Sequence, residues 1–120
     1  MVTIKEAEMQ TGITKQNIRY YEKIGLLQPS REQENKYRNY SEEDIRRLKL
    51  IFLFRKLDMP LEEIRQLLEG TIELQDALQM QKEMLVERQQ KLQAAISFCG
   101  QIEEKELTQL DVDEYLSKIK

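Results

Sequence analysis

The stretch NIRYYEKIGLL, Asn17 to Leu27, sets an arginine, two adjacent tyrosines and a lysine just ahead of a glycine stop. On a helix, Ile18 and Tyr21 share one face, while Gln16, Arg19, Tyr20 and Lys23 share the opposite one. The first face can anchor the helix, which leaves the second free to read something. A guanidinium is a planar fork of donors that matches base edges and phosphates, and tyrosine and lysine side chains reach phosphate oxygens. The plainer reading of RYYE is an amphipathic surface helix with Arg19 paired to a nearby carboxylate. The residues downstream decide between the two.

Other chemistries are poorly provided for. Histidine is absent, which removes the commonest general base and the commonest transition-metal ligand. Cys99 is the only cysteine, so there is no intrachain disulfide framework, and a reducing cytoplasm is favoured. As a sensor Cys99 could ligate a metal or be oxidised. Soft-metal sites need several thiolates, however, and a dimer would supply only two. Cys99 reads better as the continuation of a leucine row, and Met80 and Met84 as packing. No catalytic residue, cofactor or metal ligand is expected, and an enzyme is the least favoured class.

The elements that would position the RYYE face can be read on either side of it. TIKE opens a first helix, with Thr3 and Glu6 at capping-box spacing and Ile4 and Ala7 as its apolar stripe. Gly12 can turn the chain and Thr14 can cap the second helix, which together make a helix-turn-helix over about residues 4–23. After Gly25, Pro29 breaks regular structure, EQEN reads as a polar turn and KYRNY alternates like a short strand. Leu26–Leu27 would be its strand partner, forming a wing over about 27–40, with Lys36 and Arg38 on one side and Tyr37 and Asn39 on the other. Ser41 and Asp44 cap a third helix whose middle, LKLIFLF, is apolar nearly all round and predicts burial between other elements. Pro60 opens a fourth helix with Leu61, Ile64, Leu67 and Leu68 inward, and Gly70 ends it.

Charge follows the same division. With 120 residues, 40% hydrophobic and 34% charged, the chain suits one small domain plus an extended element. The net charge of −3 argues against a generally sticky nucleic-acid binder. Yet eleven Lys or Arg face six Asp or Glu between Thr14 and Lys56, while six face ten from Thr71 onward. A basic module is therefore joined to an acidic helical one. No apolar run approaches a membrane span, and the start has no signal pattern.

The series TGITKQNIRYYEKIGLLQPSR, NKYRNYSEEDIRRLKLI and LDMPLEEIRQLLEG resembles the MerR family of bacterial transcription regulators over about residues 2 to 70. The resemblance implies a winged helix-turn-helix that dimerises through a long C-terminal helix on pseudo-palindromic promoter DNA. By the same resemblance Arg19 and Tyr20 are recognition-helix contacts, and Tyr37 and Arg38 are wing contacts. The full candidate DNA-binding set is Thr14, Lys15, Gln16, Arg19, Tyr20, Lys23, Lys36, Tyr37 and Arg38. Two positions depart from the pattern: Lys36 stands where a glycine is common in the wing, and Asp58 replaces a frequent glycine before the fourth helix.

From Thr71 to about Lys105 there is no proline, and Leu78, Leu85, Leu92 and Cys99 recur every seven residues. Leu74, Ile96 and Ile102 flank this row, giving a dimerisation seam on a coiled-coil helix over 71–106. Gln81 and Arg88 make the seam impure, which fits an antiparallel pair that also packs on the partner's helices better than a long isolated zipper. DVDEYLSKIK, with Asp111 and Glu114 at capping spacing, predicts a short closing helix in a tail over 107–120. On this reading a separate drug-binding domain of the kind some members of that family carry is not expected within these residues, and a chain cut from a longer protein stays open as the alternative.

The expected fold is mainly α: a winged helix-turn-helix (1–70), a long antiparallel coiled-coil helix and a short C-terminal helix. The expected function is a cytoplasmic homodimeric transcription regulator on double-stranded promoter DNA, with RNA polymerase and a small-molecule effector as further partners. The rival from another class is a dimeric protein-interaction adaptor on the same scaffold. The basic face around Arg19, Lys23 and Arg38 argues against it, because an adaptor has no need of one.

Overall fold

A computed structural model describes residues 2–28, 30–31 and 38–119. The described chain forms α1 (Ile4–Thr11), α2 (Lys15–Lys23), β1 (Ser30–Arg31), β2 (Arg38–Asn39), α3 (Glu42–Lys56), α4 (Leu61–Glu69), α5 (Leu74–Gln101), a 3-10 turn (Leu107–Gln109) and α6 (Val112–Lys118). It divides into two compact units, Met1–Leu78 and Gln79–Lys120, with α5 contributing to both. Among the described residues no helix is long and apolar enough to cross a membrane.

The helices of the first unit begin and end where local chemistry dictates. Thr3, Thr14 and Ser41 accept a backbone N–H three residues on, and at Ser41 the Asp44 carboxylate completes a reciprocal capping box. Pro60 stands at the N-cap of α4 and not inside its first turn. Three helices then stop by one device. Leu26 N–H bonds Tyr21 C=O while Gly25 N–H bonds Glu22 C=O; Met59 and Asp58 repeat this on Phe54 and Arg55, and Thr71 and Gly70 on Gln66 and Leu67. This paired closure requires a left-handed residue, and Gly25 (φ 82°), Asp58 (φ 59°) and Gly70 (φ 78°) supply it. The aspartate that stands in place of the usual glycine at position 58 therefore keeps the turn, because a short polar side chain tolerates that conformation.

The core of this unit joins Ala7, Ile13, Ile18, Tyr21, Leu26, Leu27, Tyr40, Ile45, Leu48, Ile51, Phe54, Met59, Ile64 and Ala77. α1 packs on α2 and α3, and α3 packs on α4. Two expectations are corrected here. Leu26 and Leu27 are not the wing's first strand: both are fully buried, and the antiparallel pair is Ser30 opposite Asn39 and Arg31 opposite Arg38. A strand would turn successive side chains to opposite faces, whereas the irregular backbone after Gly25 turns both leucines inward. Nor is α3 buried all round. Ile45, Leu48, Ile51 and Phe54 face the core, but Phe52 and Leu53 are exposed, because a helix of 3.6 residues per turn presents only one face to a single core.

In the second unit, α5 runs unbroken through Gly100 and ends at Gln101. It starts three residues later than expected, because the closure of α4 uses Gly70 and Thr71. It also stops short of Ile102. Glu103, Glu104 and Glu106 follow, and carboxylates are unfavourable at the negative end of a helix. α6 folds back on α5: the Tyr115 ring meets Phe98 edge-on with centroids 5.7 Å apart, and its hydroxyl donates to the Glu104 carboxylate at 2.7 and 2.9 Å. Lys118 lies over the same ring and pairs with Glu114 at 3.2 Å.

Candidate nucleic-acid interface

α2 is held on every side but one. At its start, Thr14 Oγ1 accepts the Asn17 N–H at 3.2 Å, and the Glu8 carboxylate of α1 accepts the Lys15 N–H at 2.9 Å. Along its inner face Ile18 and Tyr21 are buried. Burial pushes the Tyr21 phenol above its ordinary value; the positive charge of Arg55 opposes this and Tyr20 adds to it. Tyr21 is thus a neutral anchor. The Tyr40 hydroxyl, on a side chain with no exposed surface, donates to the Glu22 carboxylate.

At the C-terminal end, one guanidinium group holds the carbonyl of the C-cap residue and a second holds a carbonyl of the turn that follows. Arg65 of α4 donates to Ile24 C=O, and Arg47 of α3 donates to Leu26 C=O. A Cβ added at Gly25 would lie 3.5 Å from Arg65 Nη1. These tethers, with Glu22–Tyr40, were not foreseen from the sequence. Their partners lie 41, 21 and 18 residues apart, and no local pattern announces them.

What remains outward is Gln16, Arg19, Tyr20 and Lys23, all exposed. Lys15 is half-buried, and Thr14 is exposed although its oxygen serves as the cap. The Tyr20 ring tilts at 54° to that of Tyr21, 6.2 Å away. Among the described residues, no hydrogen bond or ion pair engages the Arg19 side chain, so the reading of it as a structural ion-pair residue gains no support. Of the wing candidates, Arg38 lies on β2; Lys36 and Tyr37 fall outside the described residues. The basic count of the module also changes meaning. Arg47 and Arg55 are engaged with backbone carbonyls, the latter with Met59 at 2.8 Å, and Lys56 sits over the Phe52 ring.

Among the described residues no group of three or more His, Cys, Asp or Glu is placed to hold a metal ion. Of the seam residues, Leu74, Leu92, Ile96, Cys99 and Ile102 are exposed in the single chain, while Leu78 and Leu85 are half-buried.

The model of the MerR helix-turn-helix regulatory family matches residues 2–71, and that of the MerR DNA-binding region matches residues 45–110. The chain belongs to the MerR family. MerR proteins are DNA-binding transcription regulators and not enzymes, and this chain carries their mainly helical fold, a helix-turn-helix followed by a long helix. The HTH-type transcriptional activator mta of Bacillus subtilis is 32% identical over 94 residues, covering 78% of this chain and 37% of that protein. The heavy metal-dependent transcription regulator 2 of Rhizobium meliloti is 37% identical over 67 residues, covering 56% and 46%. The chain thus spans less than half the length of these relatives. Among solved structures, the N-terminal part of the Bacillus subtilis multidrug transporter activator superposes with a TM-score of 0.77 at 29% identity, over 84% of this chain and 96% of that one. A MerR-family regulator from Bacillus cereus gives 0.75 at 27% identity, over 98% and 92%.

Proposed function

We propose that this MerR-family chain acts in the cytoplasm as a homodimer on promoter DNA, with the outer face of α2 in the major groove and the wing on the backbone. The observation that carries the reading is the isolation of that face. α2 is tied down by its caps, its core face and the Tyr40–Glu22 bond, and the chain just beyond its end by Arg65 and Arg47, while Gln16, Arg19, Tyr20 and Lys23 are left to the outside. Arg19 reads base edges, and Tyr20, Tyr37 and Arg38 meet phosphates.

The exposed row along α5 supplies the dimer contact. Leu92 and Ile96 are 59% and 65% exposed in the single chain, on a helix of 28 residues that spans about 42 Å. Two modules held at fixed spacing bend and untwist the DNA between them, at a cost on the order of 1–6 kcal/mol that several phosphate contacts offset. A small-molecule effector shifts the modules relative to each other, and RNA polymerase responds to the altered promoter. Permuted-site bending assays test this, together with transcription from promoters of shortened spacer. Distorted DNA and spacer-dependent regulation are expected. Straight DNA with regulation indifferent to spacer length leaves simple occlusion of polymerase as the mechanism.

A further inference from the structure

We propose that Arg65 is a positioning residue for DNA recognition, acting from α4 on the C-terminal end of α2; this rests on the reading in which the outer face of α2 meets DNA. Three observations converge on it. Its Nη2 donates to Ile24 C=O, one of the carbonyls that the last turn of α2 leaves without an intrahelical partner. Its Nη1 lies 3.5 Å from where a Cβ at position 25 would stand, an ordinary contact distance, so the guanidinium packs beside the left-handed Gly25. Its own α4 is seated by Ile64, which has no exposed surface, and Glu62 holds the guanidinium from the other side at 3.4 Å.

A positive charge at the C-terminal end of a helix is favourable in itself. The bond to Ile24, however, also fixes where that end lies. Lys23 is the residue before Ile24, and Arg19 and Tyr20 are one turn back. A small swing of this end moves those three side chains relative to the groove while Thr14 and Glu8 hold the other end. α4 is followed directly by the segment that enters α5, so Arg65 links the position of α4 to the end of the reading helix.

The test is a double-mutant cycle with Arg19, measured by fluorescence anisotropy. The probes are a duplex of the protein's own upstream promoter region and a scrambled duplex of equal length and composition. Arg65→Met is expected to weaken promoter binding about tenfold, the scale of one charge-assisted hydrogen bond, while leaving scrambled-duplex binding unchanged. In an Arg19→Ala background the same substitution is expected to change promoter binding less than about twofold, because the residue it positions is gone. Arg65→Lys, which keeps a charged donor, is run in parallel and recovers part of the loss, so the result does not hang on the folding of the methionine variant. Equal losses with and without Arg19 overturn the positioning role. So does a fall of about one in the salt exponent, which would make Arg65 itself a phosphate contact. If Arg19→Ala alone keeps full promoter preference, the reading face is wrong and the Arg65 proposal falls with it.

Discussion

Arg19, Arg47, Arg55 and Arg65 carry the same charge in one small unit but are put to different uses. Three of them donate to backbone carbonyls of Leu26, Met59 and Ile24, and Arg19 points outward. Arg19→Ala should therefore lower promoter discrimination by roughly 1–3 kcal/mol, the worth of a bidentate base contact, while leaving the thermal midpoint nearly unchanged. A large fall in the midpoint with unaltered affinity would make it a structural residue instead. Tyr40→Phe should do the reverse in stability. It removes a buried donor to the Glu22 carboxylate and should cost about 1–3 kcal/mol, read from denaturant unfolding. The outward placement of Arg19 was legible in the sequence because a 3.6-residue period assigns it a face. The roles of Arg47 and Arg65 were not, because their acceptors are main-chain carbonyls exposed by a helix end far away in sequence.

Elements were legible where local chemistry sets them. The caps at Thr3, Thr14 and Ser41 and the stops at Gly12 and Gly70 stand where the residue types put them. The wing pairing was misassigned because adjacent leucines resemble a strand until tertiary burial claims both. Asp58 shows a turn that the residue type alone did not demand; Asp58→Val should lower stability by about 1–2 kcal/mol by forcing a β-branched residue into the left-handed region. The docking of α6 carries a pH signature. The Tyr115 hydroxyl holds the Glu104 carboxyl below its ordinary 4.5, so this contribution is complete above pH 4.5 and is lost as pH falls through the lowered value. Glu104 in turn pushes the Tyr115 phenol above 10.0, so the contribution is complete below pH 10.0 and is lost as pH rises through the raised value. Amide protection of residues 112–118, taken relative to the intrinsic exchange rate at each pH, should be greatest between these limits, and Tyr115→Phe should flatten the acid limb. A profile in the Phe variant identical to that of the parent would remove the latch.

The α5 row and the outward apolar residues of α3 are exposed in the single chain, and the proposed dimer assigns the α5 row to a second copy. Burying a leucine fully is worth about 1.5–3 kcal/mol, so Leu85→Glu and Leu92→Glu should each shift sedimentation toward monomer at micromolar concentration. Cys99→Ser should leave DNA binding intact, since a single thiol per chain makes a poor soft-metal site. Stoichiometric metal that is lost on this substitution would contradict that. In the proposed complex two copies present two α2 faces to one promoter. The most direct measurement is hydroxyl-radical footprinting on the upstream promoter duplex, combined with the stoichiometry of the complex by analytical ultracentrifugation. Two protected tracts related by a dyad, with two chains per duplex, are expected. A single tract with one chain bound, or no protection above that on a scrambled duplex, would contradict it.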